Sequence, residues 1–199
     1  MFSNLIANFV LRSRCVNEYI DQGRSFDDID IEISNCFFTR TSTYNGNGGV
    51  IYVNGGFLSM SVSDSVFINC IASNHGGSVY FISSKSFLRK ICANSCSASV
   101  YHFSYLVSSL YNQIEYLSVS NCSYTTSGHH SICQDKGNQI VDHTNSSMNK
   151  AFQCAGILNW PPSSFISSYC TFSNNIVSHS VCIYYFSNSG EISYSNFLY

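Results

Sequence analysis

Three acidic side chains alternate in the segment FDDIDIEIS: Asp28, Asp30 and Glu32, separated by Ile29 and Ile31 and followed by Ile33. On an extended strand, alternate residues project from one face roughly 7 Å apart. That spacing suits a pair of carboxylates acting on a glycosidic bond, or a hard-cation site. Arg24 or Arg40 could neutralise a uronate beside them. A catalytic groove needs support from the neighbouring turn, however, and the equivalent positions one repeat later, Phe57, Ser59 and Ser61, carry no charge. The alternation is read as a strand with one buried face and one solvated acidic face, which leaves Asp28, Asp30 and Glu32 as the candidate catalytic carboxylates of the less favoured enzyme reading.

A second cluster comprises His129, His130, Cys133, Asp135, Asp142 and His143. Imidazole and thiolate at short spacing are zinc chemistry, but His130-x2-Cys133 has no partner pair of matching strength. A polar loop is the better reading. His130, Cys133 and His143 are the candidate metal ligands, and no cofactor is expected. Asn121-Cys-Ser123 and Asn145-Ser-Ser147 match the N-glycosylation pattern, as an Asn- and Ser-rich chain does by chance.

The elements that would hold these residues recur. A six-residue frame, aliphatic-Ser-x-Cys/Ser-x-aromatic, appears at 33–38 (ISNCFF), 62–67 (VSDSVF), 119–124 (VSNCSY) and 192–197 (ISYSNF). A weaker copy lies at 167–172 (SSYCTF) and a degenerate one at 92–97 (CANSCS). Markers at the last frame residue are spaced 29, 30, 27, 48 and 25 apart, the long step being two short repeats or one with an insertion. Self-similarity at such a period signals a repeat array. The inward positions are spaced by two, as in strands, and the helical spacings of three and four are absent. Asn45-Gly-Asn-Gly-Gly49, Asn54-Gly-Gly56 and Asn74-His-Gly-Gly77 supply the residues tight turns require.

Like segments recurring in one direction do not form hairpin meanders; stacked in parallel, they form a coil. The expected fold is all-β, a right-handed parallel β-helix of about 25–30 residues per coil, one domain over 1–199 with an irregular stretch at about 125–162. Ile33, Val62 and Val119 are expected in one inward stack and Phe38, Phe67 and Tyr124 in another, with Asn35, Asp64, Asn94 and Asn121 as a ladder at the corner. Cys36, Cys122 and Cys170 share a frame position with Ser65, Ser95 and Ser195, which reads as small packed side chains; Cys92/Cys96 and Cys96/Cys122 are the most plausible bridges. Charged residues make up only 10% of the chain and its net charge is −2, which argues against nucleic acid as a partner. The uncharged run 5–11 is too short for a transmembrane helix and lacks the cation of a signal peptide. Neither terminus carries a capping sequence, so the chain is expected to be part of a longer array with a tendency to associate end to end.

Gly48-Gly-Val-Ile51, Gly76-Gly-Ser-Val79 and Phe172-Ser-Asn-Asn175 together resemble the GGxI and FxxN motifs of polymorphic outer membrane protein repeats and similar right-handed β-helix proteins of microbial surfaces, with Val50 or Ser78 where that family has Ala. The resemblance implies a secreted or surface-displayed protein acting in adhesion, with glycans or surface proteins as partners. Parallel β-helices also house polysaccharide lyases and glycoside hydrolases, which is the alternative reading.

Overall fold

A computed structural model of the chain describes residues 12–22, 24–25, 30–43, 46–55, 59–123, 128–179, 183–185 and 189–198. They form a parallel β-solenoid of about six turns with no helix. Hence, among the described residues, no helix is long and apolar enough to cross a membrane.

Each turn has three faces. The first stacks Asp30–Ser34 on 59–63, 85–89, 111–115, Asn138–Asp142, Ser164–Ser168 and Gly190–Ser193. The second begins a corner later and stacks Phe37–Thr39 on 66–68, 92–94, 118–120, Asn145–Ser147, Thr171–Ser173 and Asn196–Leu198. The third includes Ile51–Asn54, 79–82, 104–107, His130–Asp135 and Cys154–Trp160.

Two corners five residues apart bound the second face, and at both a residue adopts left-handed backbone. The first holds Asn17, Asn35, Asp64, Lys90, Tyr116, His143, Tyr169 and Tyr194; the second holds Arg40, Asn69, Ser95, Asn121, Met148 and Asn174, all with φ between 47° and 57°. The following residue points inward and is often Cys, Ser or Thr. Its side chain turns back to donate to the carbonyl two residues earlier, as in Cys36 to Ser34 (3.4 Å), Ser65 to Ser63 (2.6 Å), Cys96 to Asn94 (3.5 Å) and Cys170 to Ser168 (3.1 Å). This local bond explains why Cys and Ser interchange in the frame. Before the third face, Gly76 has φ 62°, and a side chain at Gly77 would collide with the His102 carbonyl of the next turn. Only glycine meets both demands.

The interior follows the strand parity. Phe38 and Phe67 are fully buried with rings stacked at 4.7 Å, and Ile33 pairs with Val62 as expected. The register corrects the expectation for later turns. Val119 pairs with Ala93, which pairs with Phe67, so Val119 continues the phenylalanine stack, and Leu88 and Ile114 continue the Ile33–Val62 stack. Tyr124 lies outside the described residues. Asn35 and Asp64 do share the first corner, but Asn121 sits at the second, and Asn94 is the strand residue before it, donating to Ser120 Oγ at 2.8 Å. Amide ladders do form one residue beyond the second corner: Asn149 Oδ1 accepts from the Cys122 N–H (2.9 Å) and Asn175 Oδ1 from the Asn149 N–H (3.0 Å). Nor does the stretch 128–162 protrude as a loop; it supplies rungs to all three faces, regular on the first two and irregular on the third, where the register shifts between Tyr101 and Ser104 and between His130 and Ile132. Its sequence hides this because polar Gln139, Ser146 and Asn149 occupy buried positions.

Candidate functional site: an aromatic rail at the first corner

From Tyr116 onward the first corner changes character. Asn and Asp are tolerant of left-handed backbone, a bulky ring much less so. Yet this corner carries Tyr116, His143, Tyr169 and Tyr194 in four consecutive turns, at φ 54°, 47°, 53° and 48°. Their rings form one column: Tyr116 to His143 at 4.8 Å, His143 to Tyr169 at 5.0 Å and Tyr169 to Tyr194 at 5.0 Å, with interplanar angles of 27°, 23° and 7°. The rail faces solvent, Tyr116 being 48% exposed, Tyr169 54% and Tyr194 76%.

Parity decides what lies beside it. The residue before each rail member is on the outward side of the first face, giving the row Glu115, Asp142, Ser168 and Ser193. Two residues after each rail member comes the row Ser118, Asn145, Thr171 and Asn196 on the second face. The rail is thus a ridge of phenols and one imidazole between two rows of mostly uncharged donors and acceptors. Asp142 fixes its middle: Oδ2 lies 2.7 Å from His143 Nδ1, and Oδ1 accepts from the Ser168 hydroxyl at 2.6 Å. Partial burial works to raise the Asp142 carboxyl, but the Ser168 and His143 contacts outweigh it and hold the group below its ordinary range.

The acidic segment is placed as its alternation requires, with Ile31 and Ile33 buried and Asp30 and Glu32 half-buried on the outer side. Asp30 pairs in register with Ser59 and accepts its hydroxyl, and Glu32 pairs with Ser61. Glu32 forms an ion pair with Arg14 at 3.1 Å. Asp28 lies outside the described residues. Farther along the same face a depression of about 360 Å³ is lined by Ser61, Ser63, Phe87, Leu88, Arg89, Gln113 and Glu115. Its charges are the Arg89–Glu115 pair, 3.6 Å apart.

The three candidate metal ligands fall on two parts of the coil, His130 and Cys133 on one strand of the third face and His143 at the first corner. His130 opens a strand of the third face and stacks on Tyr101 at 5.5 Å, Cys133 is buried three residues later, and His143 belongs to the rail. Among the described residues no group of three or more His, Cys, Asp and Glu side chains is arranged to hold a metal ion. His129 packs on Phe152 at 5.7 Å, and Asp135 receives the Tyr105 hydroxyl at 3.5 Å. Burial pushes the Asp135 carboxyl up and drives the His130 imidazole down to about 4.

Sequence reasoning missed the rail as a unit. Tyr169 and Tyr194 stand in the frame at the position of Asn35 and Asp64, a signal in hand; Tyr116 and His143 lie where no frame is recognisable. Fold and surface together define a parallel β-solenoid with an aromatic ridge. Comparison with protein-family models, with curated proteins and with solved structures finds no match.

Proposed function

We propose that the chain is a non-enzymatic binding module that takes a neutral glycan along the first corner. The observation that carries this reading is the exposed Tyr116–His143–Tyr169–Tyr194 column at positions where aromatic residues are costly. Left-handed backbone at a non-glycine residue costs about 1–3 kcal/mol, and each of the three ring contacts contributes only about 0.5–1.5 kcal/mol. For Tyr169, which makes two of these contacts, gain and cost roughly cancel, so stacking gives Tyr no clear stability advantage over Asn at this corner. Rings flanked by hydroxyl and amide rows match the chemistry of a sugar chain, whose C–H patches pack on aromatic groups and whose hydroxyls exchange hydrogen bonds with Ser, Thr and Asn. With little charge on the ridge, a polyanion is a poorer fit.

The test is a calorimetric titration of the purified chain with neutral oligosaccharides of the cello-, chito- and xylo- series, repeated on Tyr169→Asn, which keeps a residue suited to the corner. The expected result is saturable binding to at least one series, weakened about tenfold or more by the substitution, a loss near 1.4 kcal/mol. Absence of binding to every series, or unchanged affinity in a Tyr169→Asn chain with a native circular dichroism spectrum, overturns the reading.

A further inference from the structure

Nine of the ten cysteines fall among the described residues; none of the nine is joined in a disulfide, and all but Cys92 are buried. Cys92 and Cys96 therefore lie on opposite sides of the wall. Cys70, Cys96 and Cys122 follow the second corner in three successive turns, and each turns its sulfur to its own carbonyl two residues back, at 3.6, 3.5 and 3.5 Å.

Cys15 and Cys36 are related differently. Cys15 lies in the strand Arg12–Val16 and pairs with Ile33, whereas Cys36 follows Asn35 at the first corner. The corner swings Cys36 inward and back over the preceding turn, so that its sulfur lies 3.2 Å from the Cys15 carbonyl and 2.9 Å from the Cys15 sulfur. This is a direct sulfur–sulfur contact between adjacent turns; the Cys70–Cys96 and Cys96–Cys122 side chains also interact across turns. Both residues are sealed from solvent, at 0% and 2% exposure.

We propose that Cys15 and Cys36 are a disulfide-forming pair that fastens one turn of the solenoid to the next when the chain folds in the presence of a disulfide oxidant. With glutathione disulfide, one cysteine thiolate attacks a glutathione sulfur and expels a glutathione thiolate, which takes up a proton. The second cysteine thiolate then attacks the protein sulfur of the mixed disulfide and expels the second glutathione. The two cysteines lose two protons and two electrons, and glutathione disulfide is reduced to two molecules of glutathione. Because the sulfurs are buried, exchange takes place during folding or when the Arg12–Val16 strand opens from Asp30–Ser34; once formed, the bond is shielded from reductant.

The experiment unfolds the full chain, refolds it with reduced and oxidised glutathione, blocks remaining thiols with iodoacetamide, and maps linked peptides by mass spectrometry. The expected result is a Cys15–Cys36 peptide, a chain lighter by two hydrogens before alkylation, and a raised thermal midpoint. Cys36→Ser should abolish all three and still fold, since Ser65 and Ser195 occupy the same position in other turns. Cys96→Ser should leave them unchanged. A folded wild-type chain with both Cys15 and Cys36 alkylated, or a bridge confined to Cys70, Cys96 and Cys122, overturns the proposal.

Discussion

Tyr169 combines two demands on one residue, a left-handed backbone and a ring between His143 and Tyr194. Substituting Asn relieves the first and forfeits the second. Tyr169→Asn is accordingly expected to change unfolding free energy by no more than about 1 kcal/mol, which chemical denaturation would check. His102 shows the opposite case, a residue fixed by the interior. It is 1% exposed, and its Nδ1 accepts the Ala98 N–H at 3.3 Å, which requires a neutral ring. Burial, against the opposing pull of backbone carbonyls, drives its pKa down to about 4, and His130 is depressed to about 4 likewise. A depressed folded pKa means that the unfolded chain binds the proton first as pH falls. Stability contributed by neutral His102 and His130 is thus complete above about 6.5 and is lost progressively down to about 4. Thermal midpoints measured from pH 7.5 to 4 should fall across that window. The fall should be shallower in His102→Asn; an equally steep fall would mean that His102 is not the titrating group.

At the scale of the element, the inward stacks hold the turns together and the outward rows cost little to change. Phe67 lies against Phe38 in the preceding turn and edge-on to Phe103 at 5.8 Å. Phe67→Ala removes packing above and to the side of a fully buried ring and is expected to destabilise by about 3–5 kcal/mol. Glu32→Gln breaks an ion pair whose Arg14 partner is largely exposed, and should cost less than about 1 kcal/mol. Both follow from urea titrations of the single variants. If Glu32→Gln proved the more damaging, the outward side of the first face would need an explanation other than solvation. The corner is an element in its own right: a left-handed residue followed by a small inward donor. It is used at both edges of the second face, and that reuse misled the reading of the repeats. VSNC at 119–122 and ISNC at 33–36 look like the same corner, yet the former turns at Asn121, five residues beyond the first corner at Tyr116.

Over the whole molecule, the first corner recurs from Asp64 to Tyr194 at intervals of 25–27 residues, so one turn is a removable unit. Deleting residues 144–169 joins His143 to Cys170, each in its existing corner role, and preserves the phase of all three faces. That deletion should keep a cooperative transition and a native β-type circular dichroism spectrum, because each turn contacts only its neighbours. Deleting 144–156, half a turn, should abolish cooperative unfolding. The amino-acid sequence by itself determined the strand parity, the parallel coil, the burial of Ile33, Val62, Phe38 and Phe67, the turns at Asn35 and Asp64, and the pairing of Asp30 and Glu32 with Ser59 and Ser61. Each rests on local alternation, which a strand's two-residue period displays directly. Only the tertiary structure decided which turn lies on which from Lys85 onward. There, buried Ser86, Asn112 and Gln139 interrupt the apolar alternation while sharing the inward column of Met60 and Phe165. It also decided the rail and the Cys15–Cys36 contact, since side chains separated by about a turn in sequence become neighbours only when the register between turns is set. That register depends on the summed contacts of whole faces, a quantity no short motif contains.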